Sequence, residues 1–138
     1  MHPATIAQVM VNFAARYGVD ASHVRTVGGE LRTSLAVVET RLHNCQSVIY
    51  RNAAADLALE PADVSNIDYA GYGALIVTGT ALAADPSRSA TLLAIQSARA
   101  AHVPVIIDVD YRPYSWVSAA EATATCRALR TRPRTSST

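Results

Sequence analysis

Two carboxylates, a phenol and a guanidinium occupy five consecutive positions, Asp108-Val109-Asp110-Tyr111-Arg112, directly after the apolar run Val103 to Ile107. Charges at the end of a buried strand are costly to desolvate unless they pair with each other or with a ligand. The segment is therefore a candidate for holding a charged guest, the alternative being an internal pair of Asp108 or Asp110 with Arg112. Arg51 closes a second apolar run and is followed, after Asn52, by the small residues Ala53 to Ala55. Its planar five-donor fork suits carboxylate or phosphate and is expected to project from a hairpin edge; the plain alternative is a surface arginine. Thr78-Gly79-Thr80 ends a further apolar strand and either presents hydroxyls to a ligand or satisfies a tight turn.

An Asp-x-Asp after an apolar strand also suits Mg²⁺, as in a metal-dependent phosphohydrolase or the metal clamp of a sugar transferase. The details disfavour both. Similarity to the haloacid-dehalogenase phosphatases would need Thr or Val at Arg112, and would put the threonine-ended strand after the Asp-x-Asp instead of before it. Cys45 and Cys126 are far apart, and His2, His23, His43 and His102 show no metal-ligand spacing, so idle thiols, surface imidazoles and no metal site are expected.

The elements that must position these residues follow from periodicity. Residues 5 to 17 place Ile6, Val9, Met10, Phe13 and Ala14 on one helical face, with Gly18 as C-cap. The β-branched runs 32 to 39 and 46 to 51 flank a polar connection of hairpin length, which predicts two antiparallel strands. A short helix is expected near Pro61. Residues 74 to 80 and 103 to 110 read as strands covered on both faces, joined by a helix with Asp85 as N-cap and Pro86 at its first position. That order is a βαβ unit with parallel strands and a right-handed crossover, so the class is α/β. Ser118 and Glu121 predict a capping box for a last helix to Ala128. Residues 127–138 read as a disordered Arg/Ser/Thr-rich tail, leaving residues 1–126 as one domain.

The 138 residues leave no room for a second full domain, and an apolar half of the chain with 17% charged residues excludes general disorder. All twelve cations are arginine against eleven acids, a net charge of +1, so no basic field exists to hold nucleic acid. No apolar run is long enough to span a bilayer and no signal peptide is evident, which predicts no membrane partner and a cytoplasmic protein.

Four blocks in order, GGELRTSLAVVE (28 to 39), VIYRNAAADLAL (48 to 59), ALIVTGTALAADPSRSA (74 to 90) and IDVDYRPYSW (107 to 116), resemble the PfkB (ribokinase-like) carbohydrate kinases over roughly residues 5 to 126. The resemblance implies a partial three-layer α/β/α domain with the hairpin contributing to a lid. It implies ATP-dependent phosphorylation of a primary sugar hydroxyl, with ATP and Mg²⁺ as cofactors and a sugar acid as substrate. In related keto-acid sugar kinases the arginine after the lid strand and the arginine of the D-x-[ND]-x-R motif contact the sugar acid. Arg51 and Arg112 match these, with Asp108 and Asp110 as supports. The family's glycine-rich anion hole and catalytic Asp have no counterpart after Cys126, and its earlier β-rich segment has none before Met1. A truncated domain lacking catalytic residues is expected, inactive alone. The alternative is a non-catalytic fragment that binds a sugar acid or self-associates through exposed sheet edges.

Overall fold

Parallel pairing of two short apolar strands organises the C-terminal part of the chain. The computed structural model describes residues 12–41, 43 and 46–130. The chain divides into two compact units, Met1–Ala58 and Leu59–Thr138.

In the first unit residues 12–16 are helical (α1). Gly18 takes φ +71°, and the Gly18 and Val19 amides donate to the Ala15 and Ala14 carbonyls at 3.0 and 3.1 Å, so the expected C-cap closes as a Schellman motif. The earlier turns of that predicted helix lie outside the described residues. Strands β1 (Leu35–Val38) and β2 (Ser47–Tyr50) pair antiparallel in the register Leu35↔Tyr50 to Val38↔Ser47, as the hairpin pattern predicts. Both faces carry exposed apolar residues, Leu35, Val37, Val38, Val48 and Tyr50 among them.

In the second unit β3 (Leu75–Thr78) and β4 (Val105–Asp108) pair parallel from Leu75↔Val105 to Thr78↔Asp108. The crossover helix α3 (Ser87–Ala100) connects them, and α2 (Pro61–Ser65) and α4 (Ala119–Arg130) complete the unit. Helix α3 serves two cores. Ala90, Ala94 and Ala98 recur at four-residue spacing and pack with Val64, Tyr69 and Val103, small side chains that let α2 approach closely. Ile95 packs with Val77, Leu82, Trp116, Ala122 and Leu129.

Three expectations need correction. The strands are covered on one face: Leu75, Val77, Val105 and Ile107 meet the helices, whereas Ile76 is 70% and Ile106 54% exposed on the other. An unbroken apolar run does not reveal how many layers cover it. Helix α3 starts at Ser87 and not at Pro86, although the Asp85 carboxylate still caps it, accepting from the Ser89 amide at 3.1 Å and hydroxyl at 2.5 Å. Those hydrogen bonds from Ser89, with the nearby Arg88 charge, hold the Asp85 carboxyl below its ordinary range. Helix α4 runs to Arg130, past the point where the tail was expected, because residues 127 to 130 continue a helix whose Leu129 is buried.

Gly79 makes the closest approach in the fold. A β-carbon there would lie 2.9 Å from the carbonyl carbon of Val109, so the backbones leaving β3 and β4 touch where a side chain would stand. We expect Gly79→Ala to destabilise by about 1–3 kcal/mol in urea unfolding, whereas Gly73→Ala, at a position with open space, changes stability by about 1 kcal/mol or less. Burial also pushes the Tyr69 phenol up, and its hydroxyl donates to the Val64 carbonyl at 3.0 Å. Above the ordinary phenol value of about 10 the unfolded chain ionises first, so stability falls as pH rises; Tyr69→Phe should flatten that alkaline loss in thermal melts.

Candidate functional site

Strand pairing sets Thr78 and Asp108 side by side at the carboxyl ends of β3 and β4, the edge of a parallel sheet where loops present unpaired donors. The two segments leaving these ends are held together by the Gly79–Val109 approach. After Thr78 the chain tightens into a 3-10 turn, Gly79–Leu82, and the Thr78 and Thr80 hydroxyls lie 3.2 Å apart in a hydrogen bond to each other. The local turn reading therefore accounts for these two threonines.

After Asp108 the motif folds upon itself. The Asp110 amide donates to Asp108 Oδ1 at 3.2 Å, and Asp110 adopts φ +31°, in the left-handed region that a short polar side chain tolerates better than most. Asp110 Oδ1 then receives Arg112 Nη2 at 2.7 Å, with the two side chains 33% and 45% exposed. The internal pair weighed from the sequence is thus present for Asp110 and Arg112. It leaves about half of the Arg112 surface open, and one carboxylate oxygen does not saturate a five-donor fork. One oxygen of each carboxylate is engaged, Asp108 Oδ1 by the Asp110 amide and Asp110 Oδ1 by Arg112. Among the described residues no cluster of three His, Cys, Asp or Glu side chains is placed to hold a metal ion. These residues on their own therefore do not fit the Mg²⁺ that the resemblance implies.

Arg51, in the first unit, departs from expectation. Its side chain is only 15% exposed and pairs with Asp56, which also accepts from Ser34 Oγ at 2.9 Å. Ala53 takes φ 50° and starts a turn that carries Asp56 back onto the guanidinium, so Arg51 does not project with free space around it. The pairing was not legible because Asp56 lies beyond the alanines, and only that backbone reversal brings it back.

Sequence reasoning also passed over Arg88. Its Nε donates to the Leu82 carbonyl and its Nη2 to the Ala83 carbonyl and to Glu121 Oε1, each at 2.7 Å, and its guanidinium carbon lies 5.9 Å from the Trp116 ring centroid. A signal was available: a cation in the first turn of a helix opposes the helix dipole and needs another reason to be there. The expected capping box of α4 is half formed for the same reason. Ser118 Oγ accepts the Glu121 amide at 3.1 Å, but the Glu121 carboxylate turns to Arg88 instead of back to Ser118. Beside the Asp108 to Arg112 loop lies a cavity of about 400 Å³ lined by Val109, Tyr111, Ala122 and Cys126, among others. Cys126 is a free thiol there, while Cys45 and His2 lie outside the described residues; His23, His43 and His102 are exposed, as expected. No helix among the described residues is long and apolar enough to cross a membrane.

Comparison with known proteins matches this arrangement to one family. The family model for pfkB family carbohydrate kinases matches residues 4–131. The chain is 43% identical over 104 residues to a 5-dehydro-2-deoxygluconokinase of Photobacterium profundum, covering 75% of this chain and 31% of that protein. It is 39% identical over 117 residues to the enzyme of the same name from Geobacillus thermodenitrificans, covering 84% and 35%. A fructokinase double mutant from Vibrio cholerae, solved in a fructose, ADP and potassium ion bound form, superposes with a TM-score of 0.73 at 27% identity, over 88% of this chain and 39% of that one. The chain thus spans about a third of the length of the curated relatives it matches. With the paired strand ends, the D-V-D-Y-R loop and a family match running from residue 4 to residue 131, the chain belongs to the pfkB family of carbohydrate kinases.

Proposed function

We propose that this chain carries the acceptor side of a sugar kinase site, that of an enzyme phosphorylating the 6-hydroxyl of 5-dehydro-2-deoxygluconate with ATP in cytoplasmic myo-inositol catabolism. The observation that carries this reading is Arg112: a guanidinium in the loop after β4, oriented by Asp110 at 2.7 Å yet 45% exposed, in a chain similar to proteins named for that reaction. Arg112 holds an anionic part of the sugar acid, while Asp108 and Asp110 fix the loop and offer acceptors to sugar hydroxyls. A fork already held by one carboxylate needs little reordering when a second anion arrives, which favours binding.

Phosphoryl transfer needs a positioned base and donors around the phosphates. Nothing after Cys126 resembles the glycine-rich motif that supplies them in the family, so these 138 residues by themselves bind a sugar acid without turning it over. ATP and Mg²⁺ belong to the rest of the machinery.

A second reading rests on the bare sheet face. Ile76 and Ile106 sit opposite each other in register and are both more than half exposed, a feature of surfaces that await a partner. Self-association through this face and the open strand edges is its consequence.

Isothermal titration with 5-dehydro-2-deoxygluconate should give saturable binding to the chain, weakened roughly ten- to a hundredfold by Arg112→Ala. No phosphate ester should form when ATP and Mg²⁺ are added. Equal affinity in wild type and Arg112→Ala removes the binding assignment, and turnover at ordinary kinase rates removes the account of the missing base. For the second reading, light scattering should show mass rising with concentration and Ile106→Lys should suppress the rise; a constant monomer mass in both proteins sinks it.

A further inference from the structure

We infer that Arg88 is a positioning residue that straps the loop bearing Asp110 and Arg112 to the segment leaving β3. The functional meaning of the strap rests on the proposed sugar-acid site; its existence does not.

The loop in question leaves β4 at Val109 and ends where Trp116 enters the core. Its first residue is fixed by Gly79, whose backbone occupies the space beside the Val109 carbonyl. Its last is fixed by Arg88, whose guanidinium carbon stands 5.9 Å from the Trp116 ring centroid, within cation–π range of a 7% exposed indole. The same guanidinium binds Leu82 and Ala83 on one side and Glu121 of α4 on the other. Both anchors therefore come from one stretch, residues 79 to 88, and both ends of the Arg112 loop are tied to it.

Three observations separate this role from simple stabilisation. An arginine in the first turn of α3 works against the helix dipole, so the local helix gains nothing from it. The ion pair is only partly buried, at 27% and 31% side-chain exposure, a setting in which a charge pair adds little stability. Trp116 Nε1 and Glu121 Oε2 are buried with no hydrogen-bond partner among the described residues, which makes the cluster costlier than a plain apolar contact. What the planar fork supplies is direction: it fixes two carbonyls, a carboxylate and an indole at once, and an ammonium or an apolar side chain cannot reproduce that geometry.

Trp116 is the only tryptophan of the chain, so its fluorescence reports on the strap alone. Hydrogen exchange read by mass spectrometry supplies the local stability of each segment. In Arg88→Met we expect exchange across residues 109–116 to quicken by about tenfold, with α3 and β3 unchanged, and Trp116 emission to shift red and become more open to acrylamide. Arg88→Lys, which keeps the charge but not the fork, should restore only part of each signal. Glu121→Gln should move them the same way by less, and it decides the matter if Arg88→Met does not fold. Unchanged exchange over 109–116 overturns the proposal, as does a rise shared equally with α3 and β3. Titration of 5-dehydro-2-deoxygluconate keeps the two readings apart. If the wild type binds and Arg88→Met binds several-fold more weakly, the strap serves the site. If binding is the same in both while the loop loosens, it does not, and positioning is disproved. If the wild type binds nothing, the sugar-acid reading falls while the exchange data still decide the strap.

Discussion

The contact between the Gly79 backbone and Val109 is the constraint from which the C-terminal unit takes its form. Neighbouring strands in a sheet run less than about 5 Å apart, so the chain segments leaving their ends must either diverge or share one narrow space. Without a side chain at position 79 the two segments share it. The turn after β3 then packs under the loop after β4, and Leu82 and Ala83 enter the same core as Trp116 and Ala122. Ser87, fully buried at the start of α3, donates from its hydroxyl to the Ala81 carbonyl at 2.9 Å and fixes the same turn from the helix side. Loop, turn and helix entrance thus form one packed body at the strand ends.

Charge in this protein orders more than it stabilises. The Asp110–Arg112 pair is partly open to water, and such pairs contribute about 0–1 kcal/mol. Arg51 is more deeply placed, but its partner Asp56 is 54% exposed, which limits that pair in the same way. The cores carry the stability: fully buried Leu82 and Ile95, and the alanine stripe of α3 against α2. Substitutions in the charged loops therefore perturb geometry before they perturb folding.

Strands β3 and β4 carry apolar residues suited to two covered faces, while the helices of the second unit cover one. The hairpin β1–β2 shows the same excess, with apolar side chains exposed on both faces of a two-stranded sheet that has little intrinsic stability.

The order of elements was legible in the residues because it depends on local periodicity and turn chemistry. Gly18 as a left-handed cap, the hairpin, the helix at Pro61 and the parallel β3–α3–β4 unit all follow from patterns within a few residues of each other. The D-V-D-Y-R segment stood out for a similar reason, since charges beside a buried strand are visible in any sequence. The Asp110–Arg112 pair was weighed in advance, but tertiary structure alone decided the other partners. Arg51 found Asp56 through a reversal at Ala53, Glu121 left its capping role for Arg88, and Gly79 proved to be a contact as well as a turn. Local pattern determines which residues join a helix or a strand, but a hydrogen bond or a backbone contact is chosen by distance in space, and that distance exists only once the chain has folded.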